Sequence, residues 1–384
     1  MTHAYLDNAA TTPMAPEVVT AMMEVYQTVH GNPSSTHGPG RKAKALVETS
    51  RRRIATLLGC PPRTICFTSG GTEADNHAIQ AAVSSLGVRR ILTSAAEHSA
   101  VIKASGTAGE LANVEVIHVQ HLSDGQVDMA DLERLLADSD VPTLVSLMHA
   151  NNEVGVMVDL HQLSRLCRSH GAWIHSDTVQ SMGHYPMNLA EIDVDFLTCS
   201  AHKFHGPKGA GFLYVHPKLQ IHGMIVGGGQ ERTLRGGTEN VAGIVGLARA
   251  FDLAFEHMKE HEAHIREMKE RMIQGLLARI PGVAFNGRSD QEDRLYTVLN
   301  VQFPPHPNGG MAVFLIDLEG VACSGGSACS SGATLGSHVL RALGFHQPDR
   351  ASIRFSFSRY TTAADIDQAL EAISKVFATV EEPA

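Results

Sequence analysis

Apolar and polar positions follow two alternating patterns along this chain. Compact apolar runs at 65–68, 90–93, 114–119, 144–148, 173–176, 196–200 and 211–215 are each too short for a typical helix. Between them lie longer stretches, such as 42–58 and 160–169, in which apolar residues return every three or four positions. Runs without strict alternation suit strands buried on both faces, and helical intervals between them suit parallel crossovers. The pattern therefore predicts an α/β fold around a mostly parallel, helix-covered sheet. A longer helical stretch, about 241–279 and stopped by Pro281-Gly282, predicts passage into a second, smaller α+β domain. No repeat, low-complexity segment or flexible linker interrupts this order.

Candidate chemistry sits at the ends of the runs. Lys203 follows the run 196–200, within Ser200-Ala201-His202-Lys203-Phe204-His205-Gly206-Pro207. A lysine at the mouth of a strand can present its amine to a carbonyl cofactor. Asp177 closes the run that begins at Trp173, where a carboxylate can keep a pyridine nitrogen protonated, and Gln180 is placed to donate to a phenolic oxygen. Phe67-Thr68-Ser69-Gly70-Gly71-Thr72-Glu73 puts glycines between a strand and a helix, the setting of a phosphate cradle, to which Ser200 and His202 can add donors. His98, in Ala96-Glu97-His98-Ser99, offers a flat face for an aromatic ring.

Taken singly, each feature has an ordinary explanation: a solvated turn lysine, a capped helix start, an N-cap aspartate, one structural histidine among 22. Their order, each at a strand end, is what points to pyridoxal phosphate (PLP), because open α/β sheets bind ligands outside the carboxyl ends of their strands.

Five stretches carry a family resemblance. Tyr5-Leu6-Asp7-Asn8-Ala9-Ala10-Thr11-Thr12-Pro13, Gly31-Asn32-Pro33-Ser34-Ser35-Thr36-His37, Thr68-Ser69-Gly70-Gly71-Thr72-Glu73-Ala74-Asp75-Asn76, His149-Ala150-Asn151-Asn152-Glu153-Val154-Gly155 and Ser200 to Gly209 closely resemble the cysteine desulfurases. These are fold-type I PLP enzymes of the class V aminotransferase group. The likeness runs from Tyr5 to about Ile373.

The resemblance implies a large PLP-binding domain at 15–258 with a mostly parallel seven-stranded sheet. Residues 1–14 and 259–384 would form a smaller α+β domain carrying a cysteine loop at about 324–337. It also implies that Lys203 holds PLP as a Schiff base, Asp177 pairs with the pyridinium, Gln180 with the phenolic oxygen, and His98 stacks on the ring and accepts a proton. Gly71, Thr72, Ser200 and His202 would bind the phosphate. Asn152 would lie near cofactor and substrate, and Arg354 would take the substrate carboxylate. Thr238, in Arg235-Gly236-Gly237-Thr238-Glu239-Asn240, would reach the phosphate site of the other subunit of a homodimer.

A nucleophilic thiol distinguishes a desulfurase from its relatives, and Gly325-Gly326-Ser327-Ala328-Cys329-Ser330-Ser331 places one among small residues. Cys329 would take the sulfur of L-cysteine as a persulfide, release L-alanine, and pass the sulfur to an acceptor such as an iron–sulfur scaffold or sulfur carrier protein. Its spacing to Ser337 resembles the long-loop group. Two features depart from the pattern: Cys323 stands six positions before Cys329, and Thr334-Leu335-Gly336 lacks an acidic-proline pair. Cys323 reads first as a buried strand residue and second as an additional sulfur acceptor. A selenocysteine lyase or other PLP-dependent C–S lyase is the enzymatic alternative, and a non-catalytic sulfur-transfer scaffold the alternative of a different class.

Composition narrows the setting. A chain of 384 residues with 43% hydrophobic content can bury a large core, and its net charge of −9 argues against a nucleic-acid surface. No apolar run is long enough to span a bilayer, and the first residues lack a secretory signal's basic and apolar regions, so a cytoplasmic location is expected. The six cysteines are scattered without a disulfide or zinc pattern, so reduced thiols and no metal site are expected.

Overall fold

The computed structural model describes residues 3–325 and 336–378. In chain order the first half comprises β1 (Ala4–Tyr5), α1 (Pro16–Thr28), α2 (Gly38–Leu57), β2 (Ile65–Thr68), α3 (Gly71–Ser85), β3 (Arg90–Thr93), α4 (Ser99–Ala112), β4 (Glu115–His118), α5 (Met129–Ala137), β5 (Thr143–Ser146), α6 (Leu160–Ser169), β6 (Trp173–Asp177), β7 (Phe196–Ser200) and β8 (Gly211–Val215). There follow α7 (Val241–Glu256), α8 (Met258–Arg279), β9 (Ala284–Phe285), β10 (Val298–Gln302), α9 (Ala312–Leu318), β11 (Val321–Ala322), α10 (His338–Ala342), β12 (Ser352–Ser356) and α11 (Ala363–Val376).

The expected sheet is present, with strand order β2-β8-β7-β6-β5-β3-β4. Its central strands β7, β6, β5, β3 and β4 are parallel, whereas β8 runs antiparallel to both β7 and β2. Two antiparallel steps return β2 to the direction of β7. The carboxyl ends of β2, β5, β6 and β7 consequently open on one edge. Every residue of β2, β3, β5, β7 and β8 is buried, which explains why these runs read as continuously apolar rather than alternating. Helix starts follow local chemistry. The Asp159 carboxylate accepts the His161 and Gln162 N–H groups at the head of α6, and Asp128 caps α5 in the same way.

The single helical stretch expected at 241–279 is two helices. His257 leaves helical geometry at φ −113°, ψ 17° between α7 and α8. The apolar faces on either side belong to different cores. Ile244, Leu247 and Phe251 pack with the large sheet, whereas Ile265, Met272 and Leu276 pack with a second core. One straight helix with one stripe cannot serve both, so the chain bends between them.

That second core surrounds the antiparallel sheet β12-β10-β9 and includes α11. The N-terminal arm joins it: β1 pairs in parallel with β11, and Ala4 and Leu6 are fully buried there. Helices α8 and α11 approach closely at Gly275, where a Cβ would lie 2.2 Å from Leu370 Cδ1, so even alanine would force the Leu370 side chain or its helix to shift. Among the described residues, no helix is long and apolar enough to cross a membrane.

Candidate active site

A cavity of about 270 Å³ opens where the strand ends meet the arm and the second core. It brings together ten residues singled out from the sequence: Gly71, Thr72, His98, Asn152, Asp177, Gln180, Ser200, His202, Lys203 and Arg354.

Lys203 ends a 3-10 turn, Ala201–Lys203, that directly follows β7. The turn is tight because Gly206 returns against Ala201, where a Cβ would sit 2.7 Å from the alanine's own, so Gly206 is required for the approach. The Lys203 amine donates to the carbonyls of Ala9 and Ala10 at 2.6 and 2.9 Å. Gln180 Nε2 donates to the same Ala9 carbonyl at 3.0 Å. The N-terminal arm is thus pinned beside the lysine. On the far side, the Lys203 backbone carbonyl lies 3.2 Å from His184 Nε2.

Asp177 closes β6 and accepts the Val179 N–H at 2.9 Å. Burial, and then the neighbouring carboxylate of Asp75, push Asp177 up to about 6, against the opposing pull of His98. Asp75, one turn into α3 and fully buried, is pushed up to about 7 by burial. Its Oδ1 accepts from Thr198 Oγ1 at 2.7 Å and lies 3.4 Å from His175 Nε2, while its Oδ2 has no hydrogen-bond partner among the described residues. The facing atoms of Asp75, His98 and Asp177 all lie within 4.8 Å of one another. A cationic ring nitrogen placed there would offset the burial that raises both acids and the repulsion from Asp75 that adds to it at Asp177.

His98 caps α4, its Nδ1 accepting the Ala100 N–H at 3.2 Å, and burial lowers its affinity for a proton. A neutral imidazole can serve as a base. Glu97 beside it is buried and held well above the carboxylate range by burial, with one oxygen taken by the Met148 N–H at 2.7 Å.

The opposite end of the cavity suits an anion. Helix α3 starts at Gly71 after Gly70 at φ +148°, and no side chain caps its first turn, so its initial N–H groups are presented outward. A Cβ on Gly71 would lie 2.7 Å from Val179 Cγ2. The approach of the helix start to the loop after β6 therefore requires glycine. Thr72, Ser200 and His202 surround it, with His202 lowered to about 4 by burial and by Lys203. An uncapped helix start at one end and paired acids with an orphan oxygen at the other match the two poles of a phosphorylated pyridine aldehyde. The donor set fits PLP.

Arg354 reaches the cavity from β12 and is 2% exposed. Asn152 stands beside it with a buried Oδ1 that lacks a partner among the described residues. Thr238 is exposed and does not line this cavity. Cys329 lies outside the described residues. Cys323 is described: it follows β11, packs against the second core, and burial pushes its thiol up to about 12, so it stays protonated at neutral pH.

Sequence reasoning missed several participants. Asp75, Glu153, His338 and the carbonyls of Ala9 and Ala10 all belong to the cavity or hold its residues. Asp75 lies within a quoted motif, four residues after Gly71, which puts it one helical turn from the phosphate end. For Glu153, which accepts from Ser337 Oγ while His338 reaches the Glu97 carbonyl, only the fold brings the partners together.

Comparisons with known proteins agree with the geometry. The family model described as aminotransferase class-V matches residues 4–369. The chain is 39% identical over 375 residues to the cysteine desulfurase IscS of Dictyoglomus turgidum, covering 97% of this chain and 94% of that protein. The solved NifS-like protein from Rickettsia africae superposes with a TM-score of 0.88 at 33% identity, covering 98% of this chain and 99% of the other. A structure described as SspA in complex with cysteine superposes with a TM-score of 0.80 at 28% identity, covering 93% and 99%.

Proposed function

The chain belongs to the aminotransferase class-V family, and we propose that within it this protein is a PLP-dependent cysteine desulfurase converting L-cysteine to L-alanine, with the sulfur retained on Cys329. The observation that carries the reading is the convergence of Lys203, Asp177 and Arg354 on one cavity, with the uncapped start of α3 opposite. A lysine amine, a buried acid and a buried arginine suit a carbonyl cofactor, its ring nitrogen and an α-carboxylate respectively.

When bound, PLP supplies a carbonyl for amines and an electron sink for the carbon next to the amine. Lys203 holds the cofactor and moves the proton at the substrate Cα. Asp177 keeps positive charge on the ring nitrogen, and Gln180 orients the ring's edge. Gly71, Thr72, Ser200 and His202 hold the phosphate. His98 would lie against the ring and, neutral because burial lowers its affinity for a proton, would take the proton of an incoming thiol. Arg354 pairs with the substrate carboxylate and Asn152 steadies its neighbourhood.

Cys329 acts as a thiolate on the substrate sulfur. The S–S bond forms as the C–S bond breaks, so L-cysteine and one protein thiol become L-alanine and one protein persulfide. A sulfur-acceptor protein, such as an iron–sulfur scaffold or a sulfur carrier, then takes the terminal sulfur.

We further infer a cytoplasmic homodimer, with the chain divided into the two domains expected above. Thr238 is exposed and outside this cavity, so its phosphate contact requires a second copy. The segment leading to it is held by a buried, bidentate pair in which Arg51 donates to both Glu231 oxygens at 2.7 and 2.8 Å. That anchor maintains three successive residues, Glu231, Arg232 and Thr233, at positive φ, a costly conformation for non-glycine residues. An exposed apolar stripe, Val19, Met23 and Tyr26 on α1, offers a face for association.

Incubating the PLP-loaded protein with L-cysteine tests the reaction. Alanine formation supports desulfuration, pyruvate would indicate β-elimination, and neither product would favour a non-catalytic scaffold.

A further inference from the structure

The groups behind Arg354 are more ordered than a simple carboxylate-binding arginine requires. Its Nη1 donates to the Asn152 carbonyl at 2.9 Å and its Nη2 to Asp7 Oδ1 at 2.9 Å. Asp7 comes from the N-terminal arm and does not line the cavity. The same Asp7 oxygen accepts from Ser324 Oγ at 2.8 Å. Ser324 is itself locked to Arg354 by two backbone hydrogen bonds, at 2.7 and 3.2 Å. Three segments far apart in sequence therefore meet at one carboxylate oxygen.

A guanidinium has five N–H groups in a fixed plane, so fixing two of them fixes the direction of the others. With Nη1 on a carbonyl and Nη2 on Asp7, rotation about the last side-chain bonds would break a charge-assisted bond. Ser324 in turn restrains the Asp7 rotamer. Without Asp7, Arg354 would be a nearly buried cation tethered at one nitrogen and free to pivot.

We propose that Asp7 is a positioning residue for substrate recognition, aiming the Arg354 fork at the α-carboxylate of L-cysteine from behind the cavity wall. This rests on the reading of Arg354 as the carboxylate site. It assigns Asp7 to selection of substrates that carry a carboxylate, and not to the chemical step.

The test uses the PLP-loaded protein with L-cysteine and with cysteamine, which keeps the amine and thiol but lacks the carboxylate. Asp7→Ala should raise KM for L-cysteine about tenfold, the loss of one charge-assisted bond, while kcat changes much less. Spectroscopically measured affinity for cysteamine should not change. Asp7→Asn, which keeps the accepting oxygen, should restore most of the KM. Asp7→Glu retains the charge of the pair but displaces its oxygen by one methylene, and should also raise KM if Asp7→Ala proves too unstable to assay. Unchanged KM for L-cysteine in Asp7→Glu and in any folded Asp7→Ala protein, or equal weakening of cysteamine, overturns the assignment. An Arg354→Ala enzyme that still prefers L-cysteine to cysteamine as strongly as the wild type overturns the carboxylate reading itself. A non-discriminating Arg354→Ala beside a wild-type-like Asp7→Ala overturns only the role of Asp7.

Discussion

The floor of the cavity and its rim are built on different plans. The floor comes from one sheet edge: Gly71, Asp177, Ser200 and Lys203 follow directly from strands β2, β6 and β7, and each is fixed within a few residues of a ladder of backbone hydrogen bonds. The rim comes from distant segments that meet through side chains. Asp7 and Arg354 are 347 positions apart, Glu153 and Ser337 are 184 apart. A floor set by backbone geometry can hold a cofactor rigidly, whereas a rim set by side-chain contacts can be tuned for its substrate without disturbing that floor.

If this division is right, damage to the floor should remove the reaction altogether. Lys203→Ala should abolish turnover and the visible absorption of the protein-bound cofactor, because among the described residues no other lysine lines the cavity. A variant that kept both would erase the distinction. Asp177→Ala should still hold the cofactor on Lys203 but lose turnover on the order of a hundredfold, since a neutral ring nitrogen is a weaker electron sink. Steady-state alanine formation is the measurement. Damage to the rim should act on substrate and spare the cofactor. Arg354→Ala should raise KM for L-cysteine by about ten- to a hundredfold with the cofactor spectrum intact.

The smallest effect sharpens the comparison within the floor itself. Asp75 has a folded value of about 7 against an ordinary 3.8, so the folded protein holds a proton that the unfolded chain releases. Its stabilising contribution is complete below about 4 and is lost as pH rises through about 7. Asp75→Asn removes that loss and also removes a like charge from Asp177. In the cofactor-free protein, the Tm of the variant relative to wild type should therefore rise between about pH 4 and pH 7 and level off above. A difference that stays flat across this range would mean that Asp75 is not the titrating group. His202, lowered to about 4 by burial and by Lys203, titrates in the opposite sense in both proteins and cancels in the comparison.

The same division governs what could be read from the chain. The seven strands of the large sheet were legible: β2, β3, β5, β6, β7 and β8, buried almost throughout, write apolar runs with ligand-binding residues close to the ends of several, whereas the half-exposed edge strand β4 showed through Val114, Val116, Ile117 and Val119. The bend at His257 was not, because it reflects which core each helical face meets and not any proline or glycine. Asp75 was hidden by helical spacing: it lies inside a motif, yet its chemistry comes from Thr198 and Asp177 across the sheet. Asp7 stood in the first quoted motif, but its purpose depends on Arg354 and Ser324, and no local periodicity encodes a contact over that distance.

The most direct test of the central claim is mass spectrometry of the PLP-loaded protein after brief treatment with L-cysteine. The account places one additional sulfur on the peptide containing Cys329, formed alongside L-alanine, with none on Cys323. The Cys329→Ala protein should hold the cofactor yet form no persulfide, and Cys323→Ala should label as the wild type does. Sulfur found on Cys323, with Cys329→Ala fully active, would contradict it.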